Sequence, residues 1–188
     1  MTVEEIFRDT NEHMLHGIML HEQLANYYDF LALKGYKRCH EYHYFCESAM
    51  HRKLWRFYIN HFNKLIAVSN TDFIPVIPSN WYRYTRGEID AGTKRKAVEN
   101  ALREWAKWEN QTKDFYTDKI RELDALGEYF ASGFFRELLA DVEKEIKTAT
   151  RKQIILNNVD YAINFIVGEQ ESVHEKYKEK LESMRIKM

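Results

Sequence analysis

The pattern of hydrophobic and polar positions from Tyr36 to Leu65 predicts a long helix with one buried face. Read with a period of 3.6 residues, this face combines aromatic and aliphatic side chains with four histidines and one acid. Its members are Tyr36, His40, His43, Glu47, Met50, His51, Leu54, Tyr58, His61 and Leu65. A carboxylate in the middle of such a face is costly to bury unless a proton, a cation or a metal compensates its charge. The pattern therefore marks Glu47 as a candidate functional residue.

The same periodicity predicts an all-α chain of five helices, at about residues 3–34, 37–66, 93–126, 128–157 and 159–184. Thr2 followed by Glu5 has the pattern of a capping box at the first helix start. Gly35 is expected to end that helix, Gly127 to separate the third helix from the fourth, and Gly168 to kink the last one.

Between Ala67 and Asp90 the periodicity stops, and Ser, Asn, Asp, Pro and Gly alternate with apolar residues. A connection of this length is too long for a tight turn and suits a crossover along the length of a helical bundle. With 188 residues and few helix breakers, the chain is expected to form a single domain.

The first two predicted helices form one hairpin, and the third and fourth form another. In each hairpin, an acid on one helix is expected to lie level with an acid on the other. In an antiparallel hairpin, residues equally distant in sequence from the turn lie at the same level. Glu22 and Glu47 are equidistant from a point beside Gly35, and Glu109 and Glu145 are equidistant from Gly127. If the crossover places the two turns at opposite ends, all four carboxylates meet at one level inside one bundle.

Four carboxylates and a histidine in an apolar bundle suit a pair of divalent metals, because oxygen ligands match the charge and imidazole suits iron. The predicted metal ligands are Glu22, Glu47, His51, Glu109 and Glu145, with Asp141 as a carboxylate shuttle or alternative ligand. The other interpretation is that each acid pairs with a base across the bundle. The histidines of the second helix are equally compatible with hydrogen bonds to Tyr27, Tyr28, Tyr44 or Tyr58.

These residues resemble the ferritin-like superfamily of ferritins, bacterioferritins and rubrerythrins. The stretch His21–Ala32 followed by Gly35 and Tyr36 is similar to a rubrerythrin first helix. The layout of Ala101–Lys147 is similar to the third and fourth helices of a ferritin. The resemblance covers about residues 10 to 150 and implies a dinuclear site, usually of iron, that reacts with oxygen or peroxide.

The chain departs from the family motif of Glu followed three residues later by His. Met50 stands at that position after Glu47, and the histidine comes one residue later, at His51. On the fourth helix, Lys144 follows Asp141 and Thr148 follows Glu145. One gapless matching of the first helix also puts His21, rather than Glu22, at the ligand position.

Charge and cysteine content limit the expected binding partners and the cellular compartment. The 28 basic and 29 acidic residues are mixed along the chain, so no basic face exists for a nucleic-acid backbone. Cys39 and Cys46 lie on one predicted helix, too far apart for a mutual disulfide, which favours a reducing compartment. An acidic N-terminus and the lack of an 18-residue apolar run predict a cytoplasmic protein without a membrane partner.

The first helix is expected to contribute to assembly, because apolar residues lie on two of its faces. One face contains Leu15, Ile18 and Met19, and the opposite face contains Leu20 and Leu24. We expect one face to meet the bundle core and the other to meet a second subunit, which predicts at least a homodimer. The pattern does not assign the faces.

The sequence thus predicts a ferritin-like four-helix bundle with a long crossover and an additional C-terminal helix. The leading functional interpretation is a dinuclear iron or manganese protein with an oxidase-like or iron-handling role. The alternative is a metal-free bundle that acts as an interaction or assembly module. A third interpretation, a small-molecule enzyme of different topology, would have a closed pocket lined by Trp105 and Tyr116.

Overall fold

The computed structural model describes residues 1–67, 75, 77, 84–85 and 88–185. Within these residues all regular structure is helical, which confirms the all-α prediction. The helices are α1 (Val3–Phe30), α2 (Lys34–Phe62), α3 (Ala91–Ala125), α4 (Tyr129–Asn158), α5 (Ile163–Gly168) and α6 (Gln170–Arg185). The C-terminal helix expected in one piece is divided at Glu169, directly after the glycine predicted to kink it.

The start of α1 is fixed by its first residues as predicted. The Thr2 side chain accepts a hydrogen bond from the Glu5 backbone N–H at 3.2 Å, and the Glu5 carboxylate accepts one from the Thr2 N–H at 2.7 Å. These two bonds satisfy donors that a helix start leaves without partners. The predicted capping box is confirmed.

The α1–α2 turn differs from the prediction. α1 ends at Phe30, and the chain reverses through Ala32, whose φ of 57° lies in the left-handed region. Gly35 is already part of α2. There it allows a close approach, because a Cβ at this position would lie 2.4 Å from the backbone oxygen of Gln170. The expectation that Gly35 ends the first helix is therefore wrong.

Two groups of buried hydrophobic residues fill the interior at opposite ends of the long helices. The upper core joins the α1–α2 turn to the start of α3, the end of α4 and α6; its members include Leu24, Tyr28, Leu31, Leu33, Tyr36, Val98, Leu102, Trp105, Leu156, Ile166 and Tyr177. The lower core joins the α3–α4 turn to the start of α1 and the end of α2; its members include Ile6, Phe7, Met14, Leu54, Tyr58, Tyr116, Leu123, Phe135, Leu138 and Val142.

These cores fix the directions of the helices. Because the α1–α2 turn lies at the upper end and the α3–α4 turn at the lower end, α2 and α3 run in the same direction. The chain must therefore cross the length of the molecule between Phe62 and Ala91. Most of the predicted crossover, Ala67–Asp90, lies outside the described residues, although Ile77 and Ile89 pack against the upper core.

The faces of α1 are now assigned. Leu20, Leu24 and Tyr27 are buried in the upper core. Leu15 and Ile18, on the other apolar face, keep partial exposure. Nowhere in the described part of the chain is there a helix with the length and apolar character that crossing a membrane requires.

Candidate functional site: a buried layer of histidines and glutamates

Five ionisable side chains occupy the interior between the two cores. This ionisable cluster consists of His21 from α1, His43 and Glu47 from α2, Glu109 from α3 and Glu145 from α4. His21 and Glu109 have side chains 0% and 1% exposed, and those of His43 and Glu145 are 5% and 13% exposed. Charged groups buried to this degree require partners. This layer is therefore a costly part of the interior unless the charges of its side chains are compensated.

The potential ligand atoms of the cluster lie close together. His43 Nδ1 is 2.9 Å from Glu145 Oε2, and His21 Nε2 is 3.6 Å from Glu109 Oε1. His21, His43 and Glu145 each offer one atom such that all three atoms lie within 4.8 Å of one another. Two ligand atoms on opposite sides of one ion are about 4 Å apart at usual metal–nitrogen lengths. The three ligand atoms thus lie within the distance range of donors that share one ion.

Several polar atoms in this layer have no aligned hydrogen-bond partner among the described residues. They are His21 Nε2, both ring nitrogens of His43, Glu109 Oε2 and Glu145 Oε2. The short His43–Glu145 contact is among them, because the two atoms are near each other without the angle that an N–H donor requires. Buried polar atoms without a partner are rare in proteins, so this layer differs from ordinary helix packing.

Burial sets the proton affinity of two of the acids. Burial, assisted by the nearby Glu145 and Glu109 carboxylates, raises the pKa of Glu47 well above its ordinary value. Burial also raises the pKa of Glu109, against the opposing effect of the neighbouring His21 ring. Without another cation, these two acids hold protons more readily than exposed glutamates do.

The other acid is held in its charged form by a histidine. Burial opposes charge on both partners, but the Glu145 carboxylate outweighs it and raises the pKa of His43 well above the ordinary range. In return, the nearby His43 lowers the pKa of Glu145 in spite of burial, with a smaller contribution from His21. In the absence of metal the pair is therefore an imidazolium beside a carboxylate.

Two further side chains on the upper side contact the cluster. His40 Nδ1 is 3.0 Å from His21 Nδ1, and Trp105 donates its Nε1–H to Glu109 Oε1 at 2.9 Å. Burial lowers the pKa of His40 well below the ordinary value, so this ring is neutral. One Nδ1 of the histidine pair donates and the other accepts, and this choice decides whether His21 Nε2 carries a lone pair or a proton toward Glu109.

Three of the predicted ligands meet in this layer. Glu109 and Glu145 form the level pair expected from the α3–α4 hairpin, since both stand 18 positions from Gly127. Glu47 is buried as expected and lies close enough to both acids that their charges raise its pKa. The structure thus brings Glu47, Glu109 and Glu145 together from three helices.

The remaining predicted ligands lie elsewhere. Glu22 is exposed and lines a surface cavity with Arg38. His51 has its Nε2 2.8 Å from Asn11 Oδ1, and Asp141 accepts a hydrogen bond from Lys144 at 2.7 Å on the surface. These contacts are those of ordinary structural residues and do not join the cluster.

His21 takes the position expected of Glu22 because of the α1–α2 turn. With the reversal at Ala32, His21 and His43 each stand 11 positions from the turn and therefore face each other. The gapless match to the first helix points to His21, whereas the sequence predicts His43 only as a core or interface histidine that could bond to a tyrosine. Knowing where the turn lies would have identified both.

The pocket of the third interpretation is present only in part. Trp105 lines a cavity beside the cluster, whereas Tyr116 belongs to the lower core. His40 also lines this cavity and stacks on Tyr28, with ring centroids 5.3 Å apart. Contact with a tyrosine was one of the alternatives for this histidine.

Comparison of the chain with known protein families, with curated proteins and with solved structures finds no match.

Proposed function

We propose that the chain is a ferritin-like four-helix bundle that binds divalent iron or manganese in the ionisable cluster. Support for the fold comes from the parallel course of α2 and α3, which a ferritin-like bundle with one long crossover also has. Support for the site comes from the number and type of buried donors. In the cytoplasm, our proposed location, such a protein would have an oxidase-like or iron-handling role.

The observation that carries the proposal is the misaligned contact between His43 Nδ1 and Glu145 Oε2. At 2.9 Å without hydrogen-bond alignment, the two atoms have the separation of neighbouring ligands on one ion, about 3 Å at usual bond lengths. An ion between them would also contact His21 Nε2, which lacks an aligned partner. A metal thereby accounts for three unusual atoms at once.

The donor set suits iron or manganese. Two imidazoles and one carboxylate with open positions are the ligands that non-haem iron uses in many oxygen-dependent proteins. His21, His43 and Glu145 supply that set, and Glu109 lies beside it. Glu47 adds a further carboxylate near Glu109 and Glu145 for a second ion. A bound iron would supply one-electron chemistry with oxygen or peroxide.

The residues around the ligands prepare the site for a cation. If His21 Nδ1–H donates to neutral His40, the lone pair of His21 Nε2 faces the cluster, as metal binding requires. Trp105 orients Glu109 through its indole N–H. His40 and Trp105 are positioning residues in this proposal, since neither is a ligand itself.

Elemental analysis of protein purified without chelator tests the proposal. We expect about one to two equivalents of iron or manganese per chain. Glu145→Gln should lower the metal content by about tenfold or more, because it removes a charged ligand. The matched control is Glu143→Gln, an exposed position of the same helix, which should keep the metal. Metal-free parent protein, or equal metal content in the two variants, would exclude the site.

The second candidate is a metal-free bundle that serves as an interaction module, and one observation favours it. The cluster can balance its charges with protons alone, as His43 imidazolium beside Glu145 carboxylate and protonated Glu47 and Glu109. In that state His40 donates to His21, whose Nε2–H then faces Glu109 at 3.6 Å. The two candidates thus differ in the tautomer of His21.

Nitrogen-15 NMR of the imidazole rings separates them. The metal candidate predicts that His21 is protonated at Nδ1 and that its Nε2 signal shifts or broadens when metal is added. The metal-free candidate predicts a protonated Nε2 and no response to iron, manganese or zinc. Each outcome supports one candidate and contradicts the other.

A further inference from the structure

A cavity of about 450 Å³ lies above the ionisable cluster, between α2, α3, α4 and α6. Its volume is within the range of pockets that hold small organic ligands. The walls are mainly apolar and include Val98, Leu102, Trp105, Ile155, Leu156 and Tyr177. A ligand with an apolar body would remove these walls from water, which favours binding.

The mouth of the cavity is positively charged. Lys147 and Arg151 from α4 and Lys176 from α6 line it and are exposed to solvent. None of the three forms an ion pair with another described residue. Lys147 and Arg151 stand four positions apart, on one face of α4. Two helices therefore place cations that lack a described carboxylate partner at the same opening.

Among the described residues of the wall, the one carboxylate is already neutralised. Glu169 forms an ion pair with Lys152 and accepts a hydrogen bond from the Tyr36 hydroxyl. It therefore offers little repulsion to a second anion. The excess positive charge of Lys147, Arg151 and Lys176 remains available for a ligand.

The deep end of the cavity reaches the two positioning residues of the cluster. His40 and Trp105 are among its lining residues and are 2% and 3% exposed. His40 contacts His21, and Trp105 donates to Glu109. A ligand that fills the cavity would therefore end one side chain away from the cluster.

We propose that this cavity binds a small amphipathic anion, with its carboxylate or phosphate at Lys147, Arg151 and Lys176 and its apolar body against Trp105. This inference goes beyond the metal proposal and does not depend on it, because the apolar walls and the cations belong to the protein itself. Binding is therefore expected in chelator-treated protein as well as in metal-loaded protein.

Isothermal titration calorimetry of the full chain tests the proposal with decanoate, decyl phosphate, decanol, decylamine and inorganic phosphate. We expect one saturable site for decanoate or decyl phosphate, and the tighter of the two identifies the headgroup. Decanol and inorganic phosphate should each bind about tenfold or more weakly, since each supplies only one half of the recognition. Decylamine should not bind.

Variants separate this site from general hydrophobic binding. Lys147→Gln with Arg151→Gln should weaken decanoate about tenfold and leave decanol unchanged. Lys113→Gln with Arg121→Gln is the matched control, because it removes the same charge from exposed positions of α3 outside the cavity. Ile155→Trp should reduce binding of every ligand by filling the cavity, with circular dichroism used to establish that it folds.

Three results would overturn the proposal: decylamine binding as tightly as decanoate, equal losses in the two charge variants, or no saturable binding of decanoate and decyl phosphate. Inorganic phosphate binding as tightly as the alkyl ligands would also overturn it in favour of a simple anion site. Because the titrations are run with and without metal, failure here is distinct from failure of the metal proposal.

Discussion

The lower core and the ionisable cluster lie on the same four helices, yet they are built on opposite principles. In the lower core, Phe7 packs against Tyr58 and Phe135 with ring centroids 4.8 and 5.4 Å apart. These rings gain from burial and from edge and tilted aromatic contacts. Directly above them, His43 and Glu47 are buried almost as completely, although burial opposes their charges.

The two regions contribute differently to stability. Burying ionisable side chains costs free energy unless their charges are compensated, so another part of the molecule must supply the stability. The lower core supplies it here, since Ile6, Phe7 and Phe135 are fully buried. The cluster is thus held in place by its neighbours, and variants of the two regions should behave differently.

The largest effect is expected from Phe135→Ala in the lower core. Removing this fully buried ring should lower the free energy of unfolding by about 3–5 kcal/mol, because it leaves a cavity beside Phe7 and Tyr116. Urea denaturation measures the change, and Phe130→Ala is the control, since Phe130 is 70% exposed on the same helix. The comparison fails if the two variants lose similar stability. Metal content per folded chain should not change.

The next effect concerns the cluster, through the double variant Glu47→Gln with Glu109→Gln. Saturating metal should stabilise the parent by about 3–4 kcal/mol at 100 to 1,000 times its dissociation constant, and the variant should lose this gain. In chelator, however, the variant should be at least as stable as the parent, because an amide removes the cost of charging two buried acids. The Trp105 N–H, which donates to Glu109 in the parent, keeps an acceptor in the variant because the amide retains a side-chain oxygen.

The stability of the metal-free parent relative to the double variant should depend on pH in a defined direction. The raised pKa of Glu47 means that the folded chain holds a proton that the unfolded chain releases above about pH 4.5, the ordinary value. Metal-free parent protein should therefore lose stability as the pH rises above that value, and the double variant should lose less. Denaturation series at pH 5 and pH 8 measure this. A variant strongly destabilised in chelator would instead indicate structural ion pairs, which cost about 3–5 kcal/mol to break.

A smaller effect is expected at His13, an uncharged histidine that packs among aromatic rings. Its ring stacks between Trp108 and Phe115, and burial lowers its pKa from 6.5 to about 4. Unfolded protein takes up this proton below pH 6.5, so stability should fall as the pH drops from 6.5 toward 4, by about 3 kcal/mol. His13→Gln should reduce that loss and keep the bond to Thr112. An unchanged acid profile would contradict the assignment.

The smallest effect on folding is expected at the outer face of α1, where we propose that a second copy binds. Leu15→Lys with Ile18→Lys should convert a dimer to a monomer and change the free energy of unfolding by less than about 1 kcal/mol per chain. Light scattering at micromolar concentration measures the assembly, with Thr150→Lys on the exposed side of α4 as the control. A monomeric parent would contradict the proposal. Leu24 and Tyr27 are unsuitable for this test, because both are buried.

The α3–α4 half of the site could be predicted from sequence because its turn is local. Gly127 adopts a φ of 75°, so the residue that breaks the pattern is also the residue at which the chain reverses. Equal spacing from it correctly paired Glu109 with Glu145. The position of Gly127 alone was therefore enough to predict which acids of α3 and α4 lie level.

The α1–α2 half could not be predicted in the same way, because its glycine has a long-range purpose. Gly35 is required by contact with Gln170, which no pattern around residue 35 reveals. The actual turn uses Ala32, a residue that gives no signal for a positive φ. The error placed Glu22 in the buried layer, whereas the structure places His21 there, one position earlier along α1.

The contact at Gly35 also bears on how the chain folds during its synthesis. Leu33, before α2, offers no side-chain cap, and the side-chain oxygen of Gln170 accepts the backbone N–H groups of Gly35 and Tyr36 at 2.9 and 3.2 Å. This oxygen leaves the ribosome 135 residues after Gly35, about 10 s later at typical elongation rates. Throughout that interval the N–H groups of Gly35 and Tyr36 lack this acceptor, and they gain it only when α6 emerges.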